Sequence, residues 1–168
     1  MSQISGRSLA LSTALVVAAI SFLYGTASLA VGWFWAAKPL ETDPGAILQI
    51  QEIGSVTART ETRFTESDSV IVTKYLIIAS NTADPSKAVV ELSRALQSEN
   101  WETTAEISST VIQMKSKQWP NHLLSLEIPD EDSLSLHGDK VQKALRQAKA
   151  TARFPDSLVT LSLRRTDV

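Results

Sequence analysis

Residues 8–37, SLALSTALVVAAISFLYGTASLAVGWFWAA, carry no charge at all. Arg7 is the last ion before this run and Lys38 the first after it. An uncharged, largely apolar stretch longer than about 18 residues reads as a membrane span. In hydrocarbon a backbone amide finds no water, and a helix supplies its hydrogen-bond partners from within. A helix over the run is about 45 Å long at 1.5 Å per residue. The hydrocarbon core is about 30 Å thick, so the surplus is tilt or interface. Trp33, Phe34 and Trp35 cluster near the end of the run, with Tyr24 further in. Amphipathic rings favour headgroups, so Trp33, Phe34 and Trp35 mark one interface.

Orientation follows from the flanks. Arg7 and the amino terminus precede the run without an acid, whereas Lys38 is followed by Glu41 and Asp43. The positive-inside bias puts the N-terminus in the cytoplasm and the bulk of the chain outside it. The expected organisation is a cytoplasmic tail over 1–8, a transmembrane helix over 9–37, a membrane-proximal linker with a short helix over 38–54, and an extracytoplasmic domain over 55–168. The rival reading is a secretory signal cleaved after Ala30, since Ser28-Leu29-Ala30 fits a small-x-small site. Against it, the apolar run continues through Val31, Gly32 and the Trp-Phe-Trp cluster. The chain has no cysteine, which excludes a lipoprotein anchor.

Ala14, Ala18, Ser21, Gly25, Ser28 and Gly32 recur at alternating steps of four and three. Small residues let helix backbones approach, and packing drives helix association in lipid. The stripe reads as a docking seam for another membrane protein or a second copy of the chain. The plain alternative is chance, in a segment about half Ala, Ser and Gly.

Beyond the run about 130 residues remain, enough for one domain with its own core. They hold 15 of the 16 basic residues and all 18 acidic ones. That balance speaks against nucleic acid as a partner. Without cysteine there is no thiol catalysis and no thiolate metal site.

Asp43-Pro44 reads as a helix cap and first turn, and Gly54 as a stop, giving a helix over 44–53 with Ala46, Ile50 and Ile53 on one face, joined by Ile47. Residues 55–64 alternate as a half-solvated strand, with Val56, Ala58, Thr60, Thr62 and Phe64 on one side and Arg59, Glu61 and Arg63 on the other. Residues 70–79 are apolar on both faces and read as a central strand, paired with the first as a hairpin. Asp84-Pro85 opens a second helix over 85–98, and Asn100 reads as its left-handed stop. Strand-like segments follow at 101–107, 110–117 and 123–128. A helix over 139–153 buries Val141, Leu145, Ala148 and Ala152, and 158–164 closes the fold as a strand.

The predicted class is α+β. From residue 70 the order reads β-α-β-β-α-β, a ferredoxin-like arrangement with an extra N-terminal strand and two helices packed on one face of an antiparallel sheet.

Chemistry-bearing patterns are sparse. His122 and His137 are the only histidines. His137 stands near Glu131, Asp132 and Asp139, but a zinc site needs three or four ligands, and no HxxxH or HExxH spacing occurs. Ser133 and Ser135 lie close by without an activating base in view. No GxSxG, SxxK or phosphate-cradling glycine motif is present. The chain is therefore expected to carry no catalytic residue, cofactor or metal. Lys140, Lys143, Arg146, Lys149 and Arg153 share one broad face of the last helix. They suit anionic headgroups or an acidic partner, or simply water. Trp101 and Trp119 read as core anchors or as a contact surface.

The function expected from these residues is that of a non-enzymatic, single-pass membrane protein. Its outer domain makes protein contact as an accessory or assembly subunit. The alternative is a membrane-tethered ligand-binding or sensing domain. A deep pocket lined by Trp101, Tyr75 or Phe154 would favour that alternative.

Overall fold

The computed structural model describes residues 38–66, 68–129 and 138–167. The expected span over 9–37 lies outside them, with its seam and its aromatic cluster, as do Glu131, Asp132, Ser133, Ser135 and His137. No helix among the described residues is long and apolar enough to cross a membrane.

Seven strands and three α-helices form an α+β domain with one mixed sheet among the described residues. In chain order they are β1 (Lys38–Leu40), α1 (Pro44–Ile53), β2 (Ser55–Glu66), β3 (Ser69–Ala79), α2 (Pro85–Ser98), β4 (Trp101–Ser108), β5 (Val111–Ser116), β6 (His122–Glu127), α3 (Gly138–Thr151) and β7 (Val159–Arg165). A 3-10 turn over Pro155–Ser157 leads into β7.

Both Asp-Pro signals become helix starts. The Asp43 carboxylate accepts from the Gly45 amide, and Asp84 from the Lys87 amide. Each satisfies an amide that the first helical turn leaves without a partner. Asn100 holds φ of 66° between α2 and β4, the left-handed stop its short polar side chain tolerates. Gly54 ends α1, as its place in the sequence suggests. Its backbone is extended, not left-handed. A Cβ there would lie 2.7 Å from Ile78 Cγ2, so close approach of α1's end to β3 is what calls for glycine.

The sheet runs β2-β3-β7-β6-β5-β4, antiparallel throughout, and β1 joins it in parallel to β3. β2 pairs with β3 along Ser69–Ala79, so β1 and β7 share the other side of β3: β1 at Ser69–Ile71, β7 at Lys74–Ile78. Strand β1 escaped the sequence reading because Pro39 looks like a breaker. A proline is tolerated in a short edge strand whose missing amide disturbs no ladder.

The ferredoxin-like expectation is corrected on three points. All three segments expected between the second and last helices form strands among the described residues, β4, β5 and β6, where the ferredoxin-like order has two. The sheet is mixed because β1 is parallel to β3. The helices lie on opposite faces. Leu76 and Ile78 of β3 pack with Leu161 and Leu163 of β7, Leu124 and Leu126 of β6, and Ile112 and Met114 of β5. Over that face lie Ala46 and Ile50 of α1 and Ala88, Val89, Leu92 and Leu96 of α2. Ile77 points the other way and meets Ala144, Leu145 and Ala148 of α3, with Leu158. Side chains alternate across a strand. A β3 that is apolar on both faces therefore needs cover on both, and one helical layer cannot give it.

Strand β2 also departs from strict alternation. A bulge between Val56 and Ala58 resets the register: Val56 sits opposite Ile78 and Ala58 opposite Ile77. Val56 packs with the larger core and Ala58 with the smaller one. Phe64, read as sharing a face with both, is 67 % exposed.

Candidate functional site where the chain joins the sheet

The described residues bring one buried histidine, one arginine and several acids to a notch beside β1 and the start of α1. Glu41, Thr42, Asp43 and Pro44 form one wall, and Gln118 to His122 with Arg165 form the other, enclosing about 450 Å³ of open space. His122 opens β6 and is 6 % exposed. Its Nε2 accepts from the Asp43 backbone amide at 2.9 Å. The proton of the neutral ring therefore resides on Nδ1. Nδ1 is buried and has no partner among the described residues, and the Thr42 hydroxyl is in the same condition.

Burial holds the His122 imidazole below the usual histidine range, and the Arg165 charge adds to this, while Asp43 and Asp167 oppose it. Arg165 is engaged by Asp167, its Nε donating to Oδ1 at 2.8 Å and its Nη2 to Oδ2. Asn121 Nδ2 donates to the same carboxylate at 3.2 Å. The Arg165 guanidinium beside Asp167 holds that carboxyl below the usual range.

Trp119 borders the notch and packs near Gly45, where a Cβ would lie 3.2 Å from the indole Cζ2. Its ring stands 6.3 Å from Trp101 at 35°. Trp101 is 1 % exposed and its Nε1 donates to Gln49 Oε1 at 2.9 Å. Gln49 in turn donates to the Glu99 carbonyl at 3.2 Å. The tryptophans thus couple α1 to the end of α2. Trp101 is a core anchor, one of the two roles open to it in the sequence.

Chemically the notch binds chain to chain. The lone pair of His122 is occupied by a backbone donor, so the ring has no free base to activate a hydroxyl. No group of three or more His, Asp or Glu that could hold a metal occurs among the described residues. A second polar cluster lies on the β2–β3 hairpin. Lys74 contacts Glu61 and lies 3.7 Å from Glu41, while Arg63 lies 3.1 Å from Glu61 and 3.8 Å from Glu41. The Lys74 ammonium beside Glu61 holds its carboxyl below the usual range.

Four of the five basic residues expected on one face of the last helix lie on α3. On α3, Lys140, Lys143 and Arg146 are exposed and Lys149 half-buried, opposite buried Val141, Ala144, Leu145 and Ala148, whereas the helix ends at Thr151 and exposed Arg153, expected on the same face, lies beyond it. Arg153 stacks over Phe154, 5.1 Å from the ring centroid. Phe154 and Arg153 border a cleft of about 420 Å³ with Leu92, Ile78 and Val159. Sequence reasoning weighed His122 only as a metal ligand and missed its contact. Its partner is a backbone amide 79 residues away, which no local spacing reveals.

The chain matches no protein-family model, no curated protein and no solved structure.

Proposed function

We propose that this chain is a single-pass membrane-anchored protein whose extracytoplasmic α+β domain makes protein contact, as an accessory or assembly subunit of a membrane complex. The charge-free run of 8–37 supports the anchor. The observation that carries the contact role is how the described polar groups are used. His122, Asp43, Arg165, Asp167, Trp101 and Gln49 are each spent on holding elements together, while Phe64, Leu48 and Ile107 stand exposed at the surface. Single exposed apolar side chains are ordinary on a protein surface; Phe64 supports contact because it stands on β2, whose outer side has no strand partner among the described residues. The basic face of α3 is a secondary candidate surface, for an acidic partner or anionic headgroups.

Extraction of full-length protein in mild detergent, followed by identification of co-eluting proteins, tests this reading. Retention in the membrane fraction after alkaline wash, with a reproducible partner or a second copy, is the expected result. Mature protein that starts after Ala30 and appears in the aqueous fraction overturns the anchor. A monomer that brings down nothing overturns the contact role.

The alternative, a tethered ligand-binding domain, draws support from two features: the open cleft bordered by Phe154, and a cleft of about 320 Å³ bordered by Tyr75 with Ile47, Arg59 and Leu76. Trp101 lines neither of these two clefts.

A further inference from the structure

The two outer strands of the sheet are finished differently. β4 is eight residues long and is bulged twice, between Thr103 and Ala105 and again between Glu106 and Ser108. Bulges are one way natural sheets keep an edge from pairing with another chain. β2 is 12 residues long, its single bulge lies at Val56/Ala58, and from Ala58 to Glu66 its register with β3 is unbroken. Its far side has no strand partner among the described residues. A regular nine-residue edge carries an exposed phenylalanine and has no strand beside it among the described residues, while α3 packs against the face of β2 that bears Ala58; the opposite edge is interrupted by two bulges.

We infer that the β2 edge is the contact surface of this domain and that its partner is β2 of a second copy, paired antiparallel about Thr62. This rests on the contact role proposed above and names the partner. The argument for a copy is the order of charges. Arg59, Glu61 and Arg63 alternate in sign on one face of the strand. In an antiparallel self-pair centred on Thr62, Glu61 faces Arg63 of the partner's β2 twice over, and Arg59 faces Thr65. Opposite charges directly across a ladder stabilise it. A centre at Glu61 sets Glu61 against Glu61 and Arg59 against Arg63, and a centre at Arg63 sets Arg63 against itself. Like charges across a ladder disfavour both. A centre at Thr60 also matches charges but draws Val56 and the bulge into the ladder. Only the Thr62 centre keeps all nine pairs, Ala58 to Glu66, on regular backbone. On the other face the same register sets Thr62 against Thr62 and the exposed Phe64 ring against Thr60. Aromatic–β-branched and Thr–Thr pairs are favoured cross-strand neighbours.

The absence of cysteine gives a clean test. In the full chain in nanodiscs or native membrane, Thr62→Cys places two thiols directly across the twofold axis, within disulfide reach. The expected result is a dimer band under mild oxidation that reductant abolishes, with no such band for Ile107→Cys on β4. Arg63→Glu is expected to abolish the dimer seen by light scattering, and Glu61→Arg with Arg63→Glu to restore it. A Thr60→Cys cross-link stronger than that of Thr62→Cys overturns the register. A full chain that is monomeric and does not cross-link at 62 overturns the self-pairing. If that monomer still co-purifies with a different membrane protein, the contact role stands and only the identity of the partner fails.

Discussion

The backbone amide of Asp43 donates to Nε2 of His122 at 2.9 Å, tying the residue that caps α1 to the first residue of β6. The bond exists only while the ring is neutral, because a protonated Nε2 is a donor facing a donor. In the unfolded chain a histidine takes up its proton as pH falls through about 6.5. Folded His122 is held below that value, first by burial and then by Arg165. The unfolded state thus binds more protons in this window, so stability falls as pH drops below about 6.5 and levels off once folded His122 also protonates. Above the window its contribution is complete. Urea unfolding at pH 7.5, 6.5 and 5.5 checks this. His122→Gln keeps an acceptor without a titrating group and is expected to flatten the difference across that range relative to the parent chain.

Trp101 Nε1 donating to Gln49 closes a polar contact inside the core. Trp101→Phe retains most of the apolar packing but strands the Gln49 carbonyl. A loss of about 1–2 kcal/mol is expected in denaturant unfolding. Trp101→Ala removes the packing as well, with about 3–5 kcal/mol expected. Equal losses for the two variants would show the hydrogen bond, not the ring, to be dominant.

Gly54→Ala puts a methyl group 2.7 Å from Ile78 Cγ2. The backbone there is extended, so the penalty is steric and not conformational. A cost of about 1–3 kcal/mol is expected, read as a lower midpoint in chemical denaturation. A neutral outcome would mean that the end of α1 can lift away from β3.

Asn100 offers the opposite case. Its φ of 66° disfavours any side chain with a Cβ, and nothing else at that position requires asparagine. Asn100→Gly is expected to be neutral or slightly stabilising. Asn100→Ala is expected to cost about 1 kcal/mol. Thermal midpoints of the two variants, measured side by side, separate the conformational effect from any contact.

Local signals were legible in the sequence, and long-range ones were not. The Asp-Pro pairs at 43–44 and 84–85 mark helix starts because capping is decided within four residues. Asn100 marks a stop for the same reason. The apolar run of β3 announces a central strand. The periodicity of α3 separates its basic face from Val141, Leu145 and Ala148, but does not say which face of the sheet they cover. That choice depends on Ile77 pointing away from Leu76 and Ile78, a property of the assembled sheet. The bulge at Val56/Ala58 is equally silent, since alternation of residue types runs straight through it. The role of His122 rests on a main-chain partner and leaves no mark in residue identity.

Strand β7 lies between β3 and β6, yet it follows every other described strand in the chain. Until it arrives there are two separate half-sheets, β1-β2-β3 and β4-β5-β6, each with a raw edge of unmet amides and carbonyls. During synthesis the domain therefore waits for residues 159–165 before either half is sealed. A nascent chain stalled short of them would expose two sticky margins at once, and chaperone capture would be most needed in that interval.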